Sequence, residues 1–450
     1  MSRRMSKRWF GLLLALLLVV TACGDDDDAA DTTAAPETTE ATTTTDAPMA
    51  DVEIRWRTRP DNDTEAGVYR TVSETLTGSL EGITLTYEAG GTETEGYQQA
   101  LLIQLAGGTA PDVFWIPGAD IAEFASKGVI LDIRGYADAT GHNDGDFYPG
   151  PMSQLTTDPA TGQPGNTLWG LPRDVSAFAL YLNLDLIAEA GADDPRELAA
   201  AGNWDWEAMQ EVAEAIAALD PEIHGYGQSS WWGPVGYWVN SGGGGFFNET
   251  VDACGLDSPG SIAGLEFVRD FYASGAAFTY GEDPEPVFKA GNLGMFQNGR
   301  WATPGIREVT FDWDVVKLPD GPGGPSNWLF WGAYVVNANT EYPEEAWRLV
   351  EALTTADVQG QIAELGANIP SRVSQAALDA FLTFSPPENN QAFLDGLAEN
   401  PATEAPLWNG DWPNYRDDMN NAVNAVITGD RSIEDFEANI CAQLNEYFDN

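Results

Sequence analysis

The amino-acid sequence predicts an α/β protein built from parallel, helix-covered sheets and divided into two domains. Three observations carry that reading. Strand and helix patterns alternate along residues 52–128, as βαβ units require. Roughly 400 residues, from about 51 to 450, have the composition of folded protein, and a chain that long normally splits into two domains. Apolar residues make up 43% of the chain and there are 16 tryptophans, ample for sizeable cores.

The first fifty residues stand apart from this body. Arg3, Arg4, Lys7 and Arg8 precede an apolar run from Trp9 to Val20. Twelve residues are too few to cross about 30 Å of hydrocarbon as a helix. Val20, Thr21 and Ala22 then lead into Cys23. A signal peptide needs only small residues before its cut; a thiol at the first mature position resembles the bacterial lipoprotein lipobox. The resemblance implies that residues 1–22 are removed and that Cys23 is diacylated, holding an exported protein on the outer face of the cell membrane. An ordinary secretory signal followed by a chance cysteine is the other reading. Between 24 and 50 lie four consecutive aspartates, eight threonines and two prolines, a composition that stays disordered. Residues 23–50 thus read as a tether, its coil spanning roughly 30 Å.

In the body, Val52, Ile54 and Trp56 alternate with charged positions, a half-buried strand over 52–57. An acidic loop, Pro60 to Glu65, leads to a helix ending near Leu80, and 83–87 (ITLTY) is a second strand. Tyr97 to Ala106 forms a helix stopped by Gly107-Gly108, and 111–116 (PDVFWI) fits a buried parallel strand. Residues 118–128 form a helix closed by a left-handed cap at Gly128. Two short strands flank a Pro/Gly turn within 155–170, and 176–183 is another strand. Asp205 caps a helix that buries Met209, Val212, Ile216 and Leu219. Strands follow over 291–299 and 311–319, then a Trp/Gly-rich loop runs into a strand within 326–337. Pro343 opens a helix carrying Ala346, Trp347, Val350 and Leu353, and from about 372 the pattern is mostly helical.

Charge narrows the partners. Past residue 22 the chain has 17 basic residues against 70 acidic, a net of −53, and its only lysines are Lys127, Lys289 and Lys317. Such a surface repels nucleic acid and anionic lipid, so no nucleic-acid partner is expected. It also suits solubility in high salt. With Cys23 assigned to lipid, Cys254 and Cys441 remain, and in an oxidising compartment they pair, two buried free thiols being the alternative. A bond between them would close a loop of 187 residues, worth at most roughly 5 kcal/mol of chain entropy. His142 and His224 are the only histidines, so no histidine–cysteine metal site and no cofactor is expected. GxSxG, HExxH, P-loop and helix-opening GxGxxG motifs are missing, which speaks against an enzyme. Only a glycosidase, needing just two carboxylates, escapes that argument.

Several motifs now align with one family. PDVFWIPGADIAEFASKGVILDI resembles the "PDV … FASKG.L.DL" segment of sugar-type ABC-transporter solute-binding proteins, and LPRDVSAFALYLNLDLIAEAG its "LP.D….LYYN.DLF..AG". NWDWEAM resembles "TWDE", and GNLGMFQNGRWA "GKAAM…G.W"; LPDGPGG and WGAYVVNANTEYPEEAWRLVEALT complete the order. The chain is similar to the family 1 extracellular solute-binding proteins that include maltodextrin-binding proteins. The resemblance implies a two-lobed, type II periplasmic-binding-protein fold with the ligand in a cleft between lobes joined by several crossing segments. Lobe one would be 51–172 plus 311–371 and lobe two 173–310 plus 372–450, placing both Cys254 and Cys441 in lobe two. It also implies a monomer that captures a mono- or oligosaccharide and passes it to the membrane subunits of an ABC importer. A cell-surface glycoside hydrolase, and a binding protein for a cationic osmolyte, are the alternatives.

Sugars offer apolar C–H faces and hydroxyl edges, so their sites need aromatic rings and a few convergent polar groups. Packing is the ordinary role of any single tryptophan; here the set is informative. Trp115 lies just past a strand end, where open α/β sheets bind ligands. Trp231 and Trp232 lie in GQSSWWGPVGYW, among residues that read as too small and polar for a core run. Trp301 follows the Gly299-Arg300 turn, Trp328 and Trp331 lie in a glycine-rich loop, and Trp408 and Trp412 in APLWNGDWPNY. The resemblance puts ligand contacts at these loops, with Arg57, Asp61, Asp120, Arg173 and Asp174 as polar candidates.

Overall fold

The computed structural model describes residues 52–60, 63–91, 96–364, 366, 368–398, 401–403 and 410–448. Cys23 and its tether, Asp61 and Trp408 lie outside them. The strands are β1 (Val52–Thr58), β2 (Ile83–Ala89), β3 (Val113–Pro117), β4 (Thr157–Asp158), β5 (Gln163–Pro164), β6 (Leu171–Ser176) and β7 (Phe178–Asn183). They continue with β8 (His224–Gln228), β9 (Leu293–Gly299), β10 (Trp313–Val316), β11 (Asn327–Val336), β12 (Ile369–Pro370) and β13 (Pro401–Thr403).

Two larger sheets result. The first runs β12-β6-β11-β3-β1-β2, with β13 beside the start of β11. Its β1, β2 and β3 are parallel, while β11 runs antiparallel to both β3 and β6. The second runs β10-β7-β9-β8, with β8 and β9 parallel and β7 antiparallel to both its neighbours. Helices cover both. Ala346, Trp347, Val350 and Leu353 from the helix Pro343–Leu353 join Ile54, Trp56 and Phe114 in the core of the first. Met209, Val212 and Ile216 from the helix Trp206–Ala217 join Leu180, Leu182 and Met295 in the core of the second. Asp205 caps that helix, its side chain accepting from the Ala208 N–H at 2.9 Å.

Where the structure departs from the sequence reading, the causes are local. The strand expected over 176–183 is two strands, β6 and β7, which part at Ala177 and enter different sheets. No strand is expected over 171–174, where a proline and two charges stand. Pro172 is accommodated because the β6–β11 register shifts between Gly332 and Ala333, and an irregular ladder tolerates a residue without an N–H. Likewise, β11 begins at Asn327, so Trp328 and Trp331 lie in a strand whose ten residues are all buried. Trp232 opens a helix, Trp232–Ser241, whose Val235, Tyr237, Trp238 and Val239 are core. Its glycines serve close packing: a Cβ on Gly236 would lie 2.5 Å from the Trp328 ring. The helix expected over 118–128 is a 3₁₀ turn, Gly118–Asp120, followed by Ile121–Ser126.

Sheet membership also moves the crossing points. Residues 313–316 were grouped with the first body, but β10 pairs with β7 in the second sheet. Residues 173–176 were grouped with the second body, but they pair with β11 and β12 in the first. Asn327 fastens the crossing: its side-chain amide accepts from the Phe178 N–H at 3.0 Å and donates to the Phe178 carbonyl at 2.9 Å. Cys254 and Cys441 are joined by a disulfide, with Cα atoms 5.2 Å apart, and both lie in the second core.

Candidate functional site

Two clusters flank the crossing at Ala177. Asp174 and Phe178 are four residues apart along nearly continuous strand, roughly 13 Å.

The cluster on the first sheet is charged and buried. Arg173 and Asp174 of β6 are each 8% exposed, and the Arg173 Nη2 donates to Asp174 Oδ2 at 2.7 Å. Glu65, 4% exposed, lies 3.7 Å from Arg173 Nη1 and accepts from the Tyr69 hydroxyl at 3.1 Å. Burial works to lower the Arg173 pKa, yet Asp174, Tyr69 and Glu65 outweigh it and hold the guanidinium firmly charged. Burial pushes the hydroxyls of Tyr69 and Tyr334 well up, so both stay protonated donors. Trp115 packs into the same cluster, with the guanidinium groups of Arg59 and Arg173 over its ring at 4.6 and 4.8 Å. Its indole Nε1, Arg173 Nε and the Tyr334 hydroxyl are buried without a hydrogen-bond partner among the described residues. Asp120, also buried, lies in the 3₁₀ turn after β3. Arg57 is engaged elsewhere: its guanidinium pairs with Glu88 and donates to Gln104 Oε1 at 2.6 Å.

The cluster on the second sheet is aromatic and partly open. Trp231, Trp232 and Trp301 are half-buried. Beneath them lie buried rings: Phe178, Phe330, Trp328, Phe246 and Trp412. Phe178 meets Trp231 and Trp301 edge-on, each at 5.9 Å, and Phe330 lies 5.6 Å from both. Trp232 stands perpendicular to Trp231 at 5.2 Å and to Trp328 at 5.3 Å. Trp412, at the start of the helix Trp412–Ile427, closes the far side at 5.8 Å from Trp232. Edge-to-face contacts at these distances make one continuous ring surface.

Glycines admit four of these indoles. A Cβ would fall 2.2 Å from the Trp231 ring at Gly233 and 2.2 Å from the Trp301 ring at Gly299. The corresponding distances are 2.3 Å to Trp331 at Gly118 and 2.1 Å to Trp115 at Gly332. The pairing of Trp301 with Gly299, two residues apart, was visible in the sequence; that of Trp115 with Gly332 needs the fold.

Of the residues singled out from sequence, the structure brings Trp231, Trp232, Trp301, Trp328 and Trp412 together, and separately Trp115, Arg173 and Asp174. Trp331 lies under Gly118 in the first core, away from the ring surface. Sequence reading missed Glu65, Tyr69, Phe178, Phe330 and Tyr334, and also Arg59. Arg59 alone gave a signal, as one of three arginines in RWRTRPD within an arginine-poor chain. Among the described residues no group of three His, Cys, Asp or Glu could hold a metal, and no helix is long and apolar enough to cross a membrane.

With this geometry in hand, comparison with known proteins is specific. A family model described as bacterial extracellular solute-binding protein matches residues 79–360, more than half of the chain. A binding protein of Brucella abortus is 25% identical over 363 residues, covering 77% of this chain and 82% of that one. The galactooligosaccharide-binding protein of Bacillus subtilis is 24% identical over 251 residues, 54% of this chain and 56% of that one. Among solved structures, an ABC substrate-binding protein of Listeria monocytogenes in complex with cycloalternan superposes with a TM-score of 0.77. It is 18% identical, and the match covers 88% of this chain and 98% of that one. The likeness establishes the fold, the two-lobed α/β architecture of type II periplasmic binding proteins.

Proposed function

The chain belongs to the bacterial extracellular solute-binding proteins, and from that membership we propose that it captures a sugar and delivers it to an ABC importer. The observation that carries the sugar is the ring surface of Trp231, Trp232 and Trp301, half-open and backed by Phe178 and Phe330. It offers stacking area to C–H faces, while Trp115 Nε1, Arg173 Nε and the Tyr334 hydroxyl offer unspent donors to hydroxyl oxygens. Two similar proteins named for a galactooligosaccharide and a maltotriose support the same class. Trp328 and Trp412 act as the floor of the surface, and Asp120 and Asp174 as acceptors for hydroxyls. An aromatic cage for a cationic osmolyte needs ring faces turned toward a shared gap within about 6 Å of the cation. The rings here instead stand edge to face against one another. A glycosidase needs carboxylates free to trade protons, and Glu65 and Asp174 of the first cluster are tied to Arg173.

In this reading the ligand sits between two lobes, with crossings at Ala177, between Val316 and Asn327, and after Pro370. Cys23 carries the lipid that holds the protein at the membrane beside its importer.

The deciding experiment is a thermal-shift screen of the full chain with mono- and oligosaccharides, followed by tryptophan fluorescence on the hits. One sugar class should raise the melting temperature, by an amount reflecting about 2.7 kcal/mol at a hundredfold excess over Kd. Quenching should saturate and the sugar should be recovered intact. A shift with quaternary ammonium compounds and with no sugar, or cleavage of the sugar, would overturn the proposal.

A further inference from the structure

Of the two buried arginines, Arg173 and Arg300, the second has no acid among the described residues. Arg300 lies between Gly299 and Trp301, is fully buried, and belongs to a chain with more than three acidic residues for each basic one. Its backbone N–H donates to Ser176 Oγ at 3.1 Å, and its Nη1 donates to Asn390 Oδ1 at 2.5 Å. Asn390 is itself held by the carbonyls of Phe384 and Pro387, so the 384–390 segment folds over the guanidinium. Three phenyl rings wall it, Phe381 at 4.8 Å, Phe384 at 5.0 Å and Phe393 at 5.3 Å. Nε and Nη2 are buried with no hydrogen-bond partner among the described residues.

Those two nitrogens matter together. Nε–H and the neighbouring Nη2–H point the same way and form the fork with which arginine chelates a carboxylate, a phosphate or a halide. The partnered Nη1 is the nitrogen outside this fork. Arg300 makes no ion pair among the described residues. Arg307 lies 4.3 Å over Phe384, a ring of the same cage, donates to the Ser385 carbonyl at 3.2 Å, and makes no ion pair among the described residues. Among the described residues no acid pairs with either guanidinium, in an otherwise strongly acidic protein. A buried, unpaired charge is expensive, and a fork of unspent donors adds to the cost.

We propose that the Nε/Nη2 fork of Arg300 binds a small monovalent anion, a halide in kind, beside the rings of Phe381, Phe384 and Phe393. The anion neutralises the guanidinium and gives both donors an acceptor. Phenyl walls favour weakly hydrated anions, bromide over chloride over fluoride, and exclude sulfate, whose second charge would have to be desolvated. Burial also pulls the Arg300 pKa down to about 10, as a cation without a counter-ion requires. Sitting next to Trp301, the anion would fix the turn on which that ring stands.

Crystals of the full chain soaked in sodium bromide test this. An anomalous peak should lie within hydrogen-bond reach of both Arg300 Nε and Nη2. In solution, at matched ionic strength, exchanging gluconate for bromide should raise the melting temperature by about 1–2 °C. Arg300→Lys keeps the charge but has no fork, and should lose both the peak and the anion-specific shift. A water in place of the peak, or the same shift in the Lys variant, would overturn the proposal. A peak without any shift in solution would mean an adventitious ion only and would equally sink it. If the Lys variant does not fold, the wild-type peak and its solution shift decide the matter.

Discussion

The two clusters beside Ala177 present opposite chemistry. On the first sheet, Arg173, Asp174, Glu65, Tyr69 and Trp115 form a buried, charge-linked knot. On the second, Trp231, Trp232 and Trp301 form a half-open, uncharged ring surface. Trp115 and Trp301 were both singled out in the sequence and share a residue type, yet Trp115, expected just past a strand end, lies within β3 and carries two guanidinium groups, whereas Trp301 lies half-buried against Gly299. The difference teaches that residue type proposes a site and burial assigns the role: in the proposed site the knot supplies fixed polar groups and the ring surface supplies stacking area.

The largest expected effect breaks the knot. Arg173→Met leaves Asp174 and Glu65 buried without their cation, and removing one partner of a buried ion pair typically costs about 3–5 kcal/mol. Urea unfolding should show the loss directly. A variant as stable as wild type would mean that the acids of the knot are protonated or reach water, and the contrast between the clusters would collapse.

Next in size is the ring surface. Trp301→Ala should cost about 2 kcal/mol or more of sugar affinity, roughly thirtyfold, while the fold persists because the ring is only half-buried. Trp232→Ala should behave alike. Trp331→Ala should do the reverse, losing about 3–5 kcal/mol of stability through a core cavity. Calorimetric titration beside a melting curve separates the two. If Trp301→Ala loses stability and keeps affinity, the outward ring surface is core and the ligand lies elsewhere.

Much of the architecture was legible because strand alternation and helix caps are local. Val52, Ile54 and Trp56 announced β1, and Asp205 announced its helix. What escaped depended on contacts distant in sequence. Pro172 hid β6 because a proline argues against an inner strand until the irregularity beside it, where Arg173 falls between the Gly332–Asp174 and Ala333–Pro172 pairs, is known. Glycines hid the Trp232–Ser241 helix, since Gly236 makes sense only once Trp328 lies against it. Tryptophan clustering pointed to the ring surface, whereas Glu65 was lost among 70 acidic residues and Phe178 among ordinary strand positions.

A smaller effect sharpens the comparison within the second body. Asp205 caps the helix that carries Met209, Val212 and Ile216 into that core. Asp205→Ala should cost about 1 kcal/mol of stability and leave sugar affinity unchanged, because the cap lies away from the rings. Altered affinity would show that the ring surface yields to strain in the body beneath it.

The smallest effect compares the two histidines, one in each body. His142 packs at 5.5 Å from Trp347 and 5.7 Å from Phe147, and His224 at 5.2 Å from Phe278. Burial lowers both pKa values, although Asp144, 3.6 Å from His142 Nε2, works against it there. A lowered histidine pKa means that the unfolded chain binds more protons just below its own pKa of about 6.5. Their contribution is thus present above that pH and is lost as pH falls from there toward the folded value. Each should contribute less than the helix cap. His142→Asn should flatten the stability difference between about pH 7.5 and 5.5, and His224→Asn should flatten it less, because the His142 side chain is only 3% exposed. Asp144→Asn, by removing the opposing carboxylate, should steepen the loss. A steeper pH dependence in His142→Asn would mean that the Asp144 pair, and not burial, governs this imidazole.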